Sequence, residues 1–70
     1  MDEAEQRKRA AELIAKSWQE ALDQGVGADL VASTALTAAI SALVKTTGKK
    51  STVRITKRLI EAIKDGRFDH

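Results

Sequence analysis

The sequence has no cysteine, no proline and no tyrosine, and it holds a single tryptophan, a single phenylalanine and one histidine, at position 70. Each absence closes a route. Without Cys there is no disulfide framework and no thiolate metal site, and with His70 as the only imidazole there is no His cluster either. A chain of 70 residues hides only about 60% of the surface that its unfolded form exposes. A core of that size supplies roughly 3–5 kcal/mol unless disulfides, a metal or self-association reinforce it. Self-association is the reinforcement still open to this chain.

Long hydrophobic runs are missing too. The longest uncharged stretch covers residues 30–44 and includes Ser33, Thr34, Thr37 and Ser41, short of the roughly 20 apolar residues that a membrane span needs. It is expected to be a buried helix, with no integral membrane association. The opening "MDEAEQ" lacks the basic and then apolar segments of a secretory signal, so the expected location is cytoplasmic. A hydrophobic fraction of 43% and a charged fraction of 31% are ordinary for a folded soluble chain.

What is present is punctuation. The four glycines stand at 25, 27, 48 and 66, where a chain of three helices would place its breaks. Asp2 and Glu5 have capping-box spacing, and acids at 2, 3 and 5 suit the positive end of a helix dipole. Ala11, Ile14, Ala15, Trp18, Ala21 and Leu22 form one apolar stripe, with Trp18 expected in the core and Leu13 off the stripe as a second contact face. In the middle segment Leu30, Leu36, Ile40, Leu43 and Val44 share one side. Val31, Ala35, Ala38, Ala39 and Ala42 form another, flat enough for a neighbouring backbone to come close. Two neighbours in a monomer, or one neighbour and a second subunit, would use both sides.

The last third carries the charge. Net charge is +2 overall, but residues 1–24 hold six acids against four bases, and residues 49–70 hold seven bases against three acids. "KKSTVRITKRL", residues 49–59, has five bases and no acid. Advancing 100° per residue from Val53 puts Val53, Ile55, Thr56, Leu59, Ile60, Ala62 and Ile63 on one half-circle. Lys50, Arg54, Lys57, Arg58, Glu61, Lys64 and Asp65 fall on the other, the partition of an amphipathic helix. The rival reading is a short strand, because "TVRIT" alternates β-branched and polar residues. A strand there would suit a ribbon-helix-helix dimer, but in that family the strand precedes two helices, and here a long apolar segment comes first.

A charge run on a helix is usually a solvated face, here one that the acidic first helix could neutralise within or between subunits. The order of the charges argues for a use. Cations crowd the start of the helix and acids come late, the reverse of what the dipole favours, and Arg54 and Arg58 are like charges at i,i+4. Phosphate contact through Lys50, Arg54, Lys57 and Arg58 is one such use; an acidic protein or an anionic membrane surface is another. Trp18 and Phe68 alone are too few for base stacking.

Catalysis requires a nucleophile or acid/base within reach of partners. Ser17, Ser33, Ser41 and Ser51 have no internal His, the acids sit at helical spacing among Lys and Arg, with Glu12 expected to pair with Lys16, and "GVG" lacks the spacing and Lys of a phosphate loop. No enzyme activity, metal or cofactor is expected.

The pattern "ELIAKSWQEALDQGV", "LVASTALTAAISALVKTTG" and "RLIEAIKDGRF" resembles that of small, uncharacterised bacterial three-helix proteins. They have an Ala-rich middle helix, a Gly after it, and a closing Ile-x-x-Gly-x-Phe like Ile63, Gly66 and Phe68. Where such proteins carry acids after the middle Gly, this chain has Lys49 and Lys50. The resemblance implies a helical fold and no particular activity.

The expectation is therefore an all-α domain, a small three-helix bundle with helices near 2–24, 28–46 and 50–65, completed by homodimerisation. Leu13, Val31, Ala35, Ala38, Ala39 and Ala42 are the expected dimer interface. The expected role is protein interaction or assembly, with an acidic protein or nucleic acid as the alternative partner of the basic face.

Overall fold

A computed structural model describes all 70 residues and has three helices and no strand: α1 Glu3–Asp23, α2 Ala28–Thr47 and α3 Lys49–Lys64. "TVRIT" lies inside α3. Its threonines fit there because their hydroxyls donate one turn back, Thr52 Oγ1 to the Gly48 carbonyl at 2.8 Å and Thr56 Oγ1 to the Thr52 carbonyl at 2.7 Å. That bond satisfies the hydroxyl donor within the helix itself. Thr46 and Thr47 do the same near the end of α2, each at 2.8 Å to Ala42 and Leu43.

The helix ends follow from local chemistry. Asp2 is extended, and its Oδ1 accepts the Glu5 N–H at 2.8 Å, satisfying one of the free donors at the start of α1. Gln6 adds a further tie at this end, its Nε2 donating to the Met1 carbonyl at 3.0 Å. At the other end Gly25 has a φ of +93°. The Gly25 N–H bonds to the Leu22 carbonyl and the Val26 N–H to the Ala21 carbonyl, the paired bonds of a Schellman stop. Gly66 repeats the motif, with Gly66 N–H to Ile63 O and Arg67 N–H to Ala62 O. Gly48 alone separates α2 from α3, at φ +88° and ψ 165°.

Two units divide the chain, Met1–Ala35 and Leu36–His70, and α2 contributes to both. In the first, Trp18, Ala21, Leu22 and Val31 are half-buried. In the second, Ile40, Leu43, Ser51, Ile55, Thr56 and Ala62 are half-buried, around the one buried residue, Thr52, at 4% exposure. No hydrophobic residue is fully buried.

This corrects the expected core. Val53 and Leu59 lie on the apolar half-circle of α3, yet they are 53% and 45% exposed, and Trp18, expected in the core, is only half-covered. The physical reason is size. Each unit has about half the chain, and below about 40 residues a single unit cannot enclose a core without outside help. α2 has close to its expected bounds, but it is not the short buried segment that the uncharged stretch suggested: the helix runs 20 residues and is long and apolar enough to cross a membrane, with none of that segment buried. The uncharged stretch understated it because Asp29 and Lys45 lie in its terminal turns.

Candidate interaction surfaces

The basic surface is built by helical spacing. Arg54, Lys57, Arg58, Glu61 and Asp65 recur at three- and four-residue intervals along α3, so they share a face. The Schellman turn at Gly66 reverses the chain and brings Arg67 to that face. Together with Ala62 these residues line a surface depression of about 440 Å³. Lys50 is exposed on α3 but does not line it. The structure thus brings together three of the four cations expected from sequence and adds Arg67, whose position depends on the turn.

None of these cations has an ionic partner. The two ion pairs of the chain are Arg7 to Glu3 at 2.7 Å and Arg9 to Glu12 at 3.5 Å, both within α1. Glu12 therefore pairs with Arg9 and not with Lys16 as its spacing suggested. The start of α3 carries Lys49 and Lys50, no acid in its first turn and no side-chain cap on Gly48. Cations at the positive end of a helix are unfavourable by several tenths of a kcal/mol.

A second surface adjoins the first. Ile40 and Val44 of α2 and Thr52, Val53, Thr56 and Ile60 of α3 line a groove of about 410 Å³, with Lys49 and Lys57 also lining it. Both threonine hydroxyls are spent on backbone carbonyls, so the walls offer little for water to bond. Sequence periodicity placed these aliphatic residues on apolar stripes; that the stripes leave an open groove depends on how α2 and α3 turn about Gly48. Lys57 lines both the groove and the cationic depression.

The expected dimer residues are open along their helices. Ala35, Ala38, Ala39 and Ala42 are exposed, Val31 is half-buried and Leu13 is exposed. No three His, Cys, Asp or Glu side chains are placed to hold a metal ion.

No family model matches this chain. Neither does any significant similarity link it to a curated protein or to a solved structure. The functional reading rests on the surfaces themselves.

Proposed function

We propose that the chain is a non-enzymatic interaction and assembly module whose core is completed by a second copy of itself, with the Ala face of α2 as a contact. One observation carries this reading: no hydrophobic side chain is buried, while Leu13, Ile14, Leu30, Leu36, Ile60 and Ile63 are among those left exposed. Apolar area removed from water is worth roughly 25 cal/mol per Å², so covering these residues is the largest stabilisation available. Small Ala side chains let two α2 helices approach closely. Sedimentation across a wide concentration range tests the reading. A concentration-dependent shift to dimer is the expected result, and a well-folded monomer at high concentration would remove it.

The same exposure lends weight to a bilayer for α2, but its composition favours protein. Six large aliphatic residues in α2 are matched by six hydroxyl residues, Ser33, Thr34, Thr37, Ser41, Thr46 and Thr47, a poor exchange in hydrocarbon. A cytoplasmic location and a likeness to bacterial helical proteins belong to this proposal.

A second reading is favoured by the unpaired cations. Arg54, Lys57, Arg58 and Arg67 line one depression, an arrangement suited to phosphate groups on nucleic acid or another polyanion. Affinity for nucleic acid would then fall steeply with salt, and Arg54→Glu with Arg58→Glu would abolish it. Absence of binding at low salt removes this reading and leaves the assembly role untouched.

A further inference from the structure

We infer that the second unit docks on the surface of anionic phospholipid bilayers, its apolar groove laid against the acyl chains and the lysines of α3 set among the headgroups. Docking of this kind goes beyond the assembly role and does not require it. At 100° per residue, Ile40 and Val44 of the groove each lie about 160° around α2 from Ala42. A contact through the Ala face therefore leaves the groove open.

The lysines form a line. Lys50, Lys57 and Lys64 recur every seven residues along α3, so each is offset only about 20° from the last and the three span about 21 Å of one edge. All three are exposed, and none makes an ion pair. Beside that line run Val53 and Ile60, which line the groove, and next around the helix comes Ile63, 62% exposed. Lysine stems lie along apolar surface while their ammonium groups reach outward to polar surroundings. A helix with a basic edge beside an exposed apolar strip is the kind that lies in the plane of a bilayer interface.

Charge narrows the occupant. Lys49 and Lys57 both stand on the α3 wall of the groove, whereas the α2 wall, Ile40 and Val44, belongs to a stretch with no charged residue from position 30 to 44. A protein helix seated there turns one flank to each wall, and an acid on its α2 flank would meet no cation. A bilayer holds its charge in one layer and its hydrocarbon in the next, which matches a basic edge beside an apolar one. α1 is not the matching acidic helix, whether from this copy or another. Advancing 100° per residue from Trp18 puts Glu5, Glu20 and Asp23 about 140–160° away, on the far side from the stripe of Ile14, Trp18 and Leu22. Asp2 caps the helix, and Glu3 and Glu12 are held by Arg7 and Arg9. With its stripe in the groove, α1 brings no free carboxylate to Lys49 or Lys57.

Flotation of the full chain with vesicles tests the docking, comparing phosphatidylcholine alone with a mixture containing one-third phosphatidylserine. The expected result is at least tenfold stronger partitioning into the anionic vesicles. Replacing Lys50, Lys57 and Lys64 together by Glu should remove that preference, and Ile60→Ser with Ile63→Ser should weaken anionic-vesicle binding at least tenfold with helical content retained. As a second readout, Trp18→Phe with Ile60→Trp puts the lone indole in the groove. Its emission should shift to the blue on adding anionic vesicles and be quenched by brominated acyl chains. An indole at position 60 that stays in water, or binding that survives both serine substitutions, overturns the inference, since the contact would then be surface attraction alone. Binding to polyglutamate but not to vesicles overturns it in favour of an acidic protein partner. A wild-type dimer that ignores anionic vesicles overturns the docking and leaves the assembly reading standing, whereas a monomer that binds them with these dependences supports the docking and removes the assembly reading.

Discussion

Replacing Gly48 by alanine should weaken the α2–α3 turn by an amount that backbone conformation alone determines. Gly48 is the single residue between α2 and α3, at φ +88° and ψ 165°, a region that L residues other than Gly scarcely enter. A Cβ built there meets nothing within 4 Å, so no steric clash with a neighbour contributes. The cost is that of holding a non-Gly residue in this conformation, about 1–3 kcal/mol. Against a total of roughly 3–5 kcal/mol for so small a core, the loss is large. A fall of 2 kcal/mol corresponds to a drop in Tm of about 8–16 °C for a chain of this length. The mutant also has an escape: alanine is the best helix former, and α2 and α3 can relax into one continuous helix. Equilibrium denaturation followed by far-UV circular dichroism at fixed protomer concentration measures the effect, since self-association shifts apparent stability. Helical content should persist or rise while the cooperative transition weakens. A chain of this length is within reach of synthesis, so D-alanine at position 48 supplies the control. Its preferred φ is positive, and it should preserve stability to within about 0.5 kcal/mol. Equal stability of the L-alanine and glycine forms, or a loss confined to the D-alanine form, would refute the reasoning.

Three further perturbations follow from the described contacts. Asp2→Ala removes the acceptor for the Glu5 N–H and should cost about 0.5–2 kcal/mol, read by denaturation as above. Thr52→Val keeps the shape of the one buried residue and leaves the Gly48 carbonyl bonded to the residue 52 N–H at 3.1 Å. It should change stability by less than about 1 kcal/mol, whereas Thr52→Lys should abolish the cooperative transition. Glu3→Gln breaks the Arg7 ion pair, whose two side chains are each 79% exposed. Its effect should stay below about 1 kcal/mol and vanish in high salt, again by denaturation.

The three helices were legible because their stops and stripes are local. Gly25 and Gly66 end helices through hydrogen bonds that reach back only a few residues, and Asp2 caps α1 from three residues away. The choice of helix over strand for "TVRIT" was also local, resting on the clean separation of charged from apolar residues through α3. Burial was less legible. A helical wheel identifies which face of α3 is apolar, but not whether anything in the same chain covers Val53 or Ile63. That depends on the turn at Gly48 and on the number of apolar partners within reach. Arg67 escaped notice for a related reason. It lies beyond the helix, so periodicity does not assign it a face, and only the positive-φ turn at Gly66 returns it toward Arg54 and Arg58. The signal was available in the glycine itself.

The unbroken course of α2 through both units has a spectroscopic consequence. No linker separates residue 35 from residue 36, so melting either unit strips the shared helix of half its packing. The lone indole, Trp18, lies in the first unit, while far-UV ellipticity sums over both. Fluorescence and ellipticity should therefore lose signal at the same denaturant concentration, with the tryptophan reporting on a unit it does not inhabit.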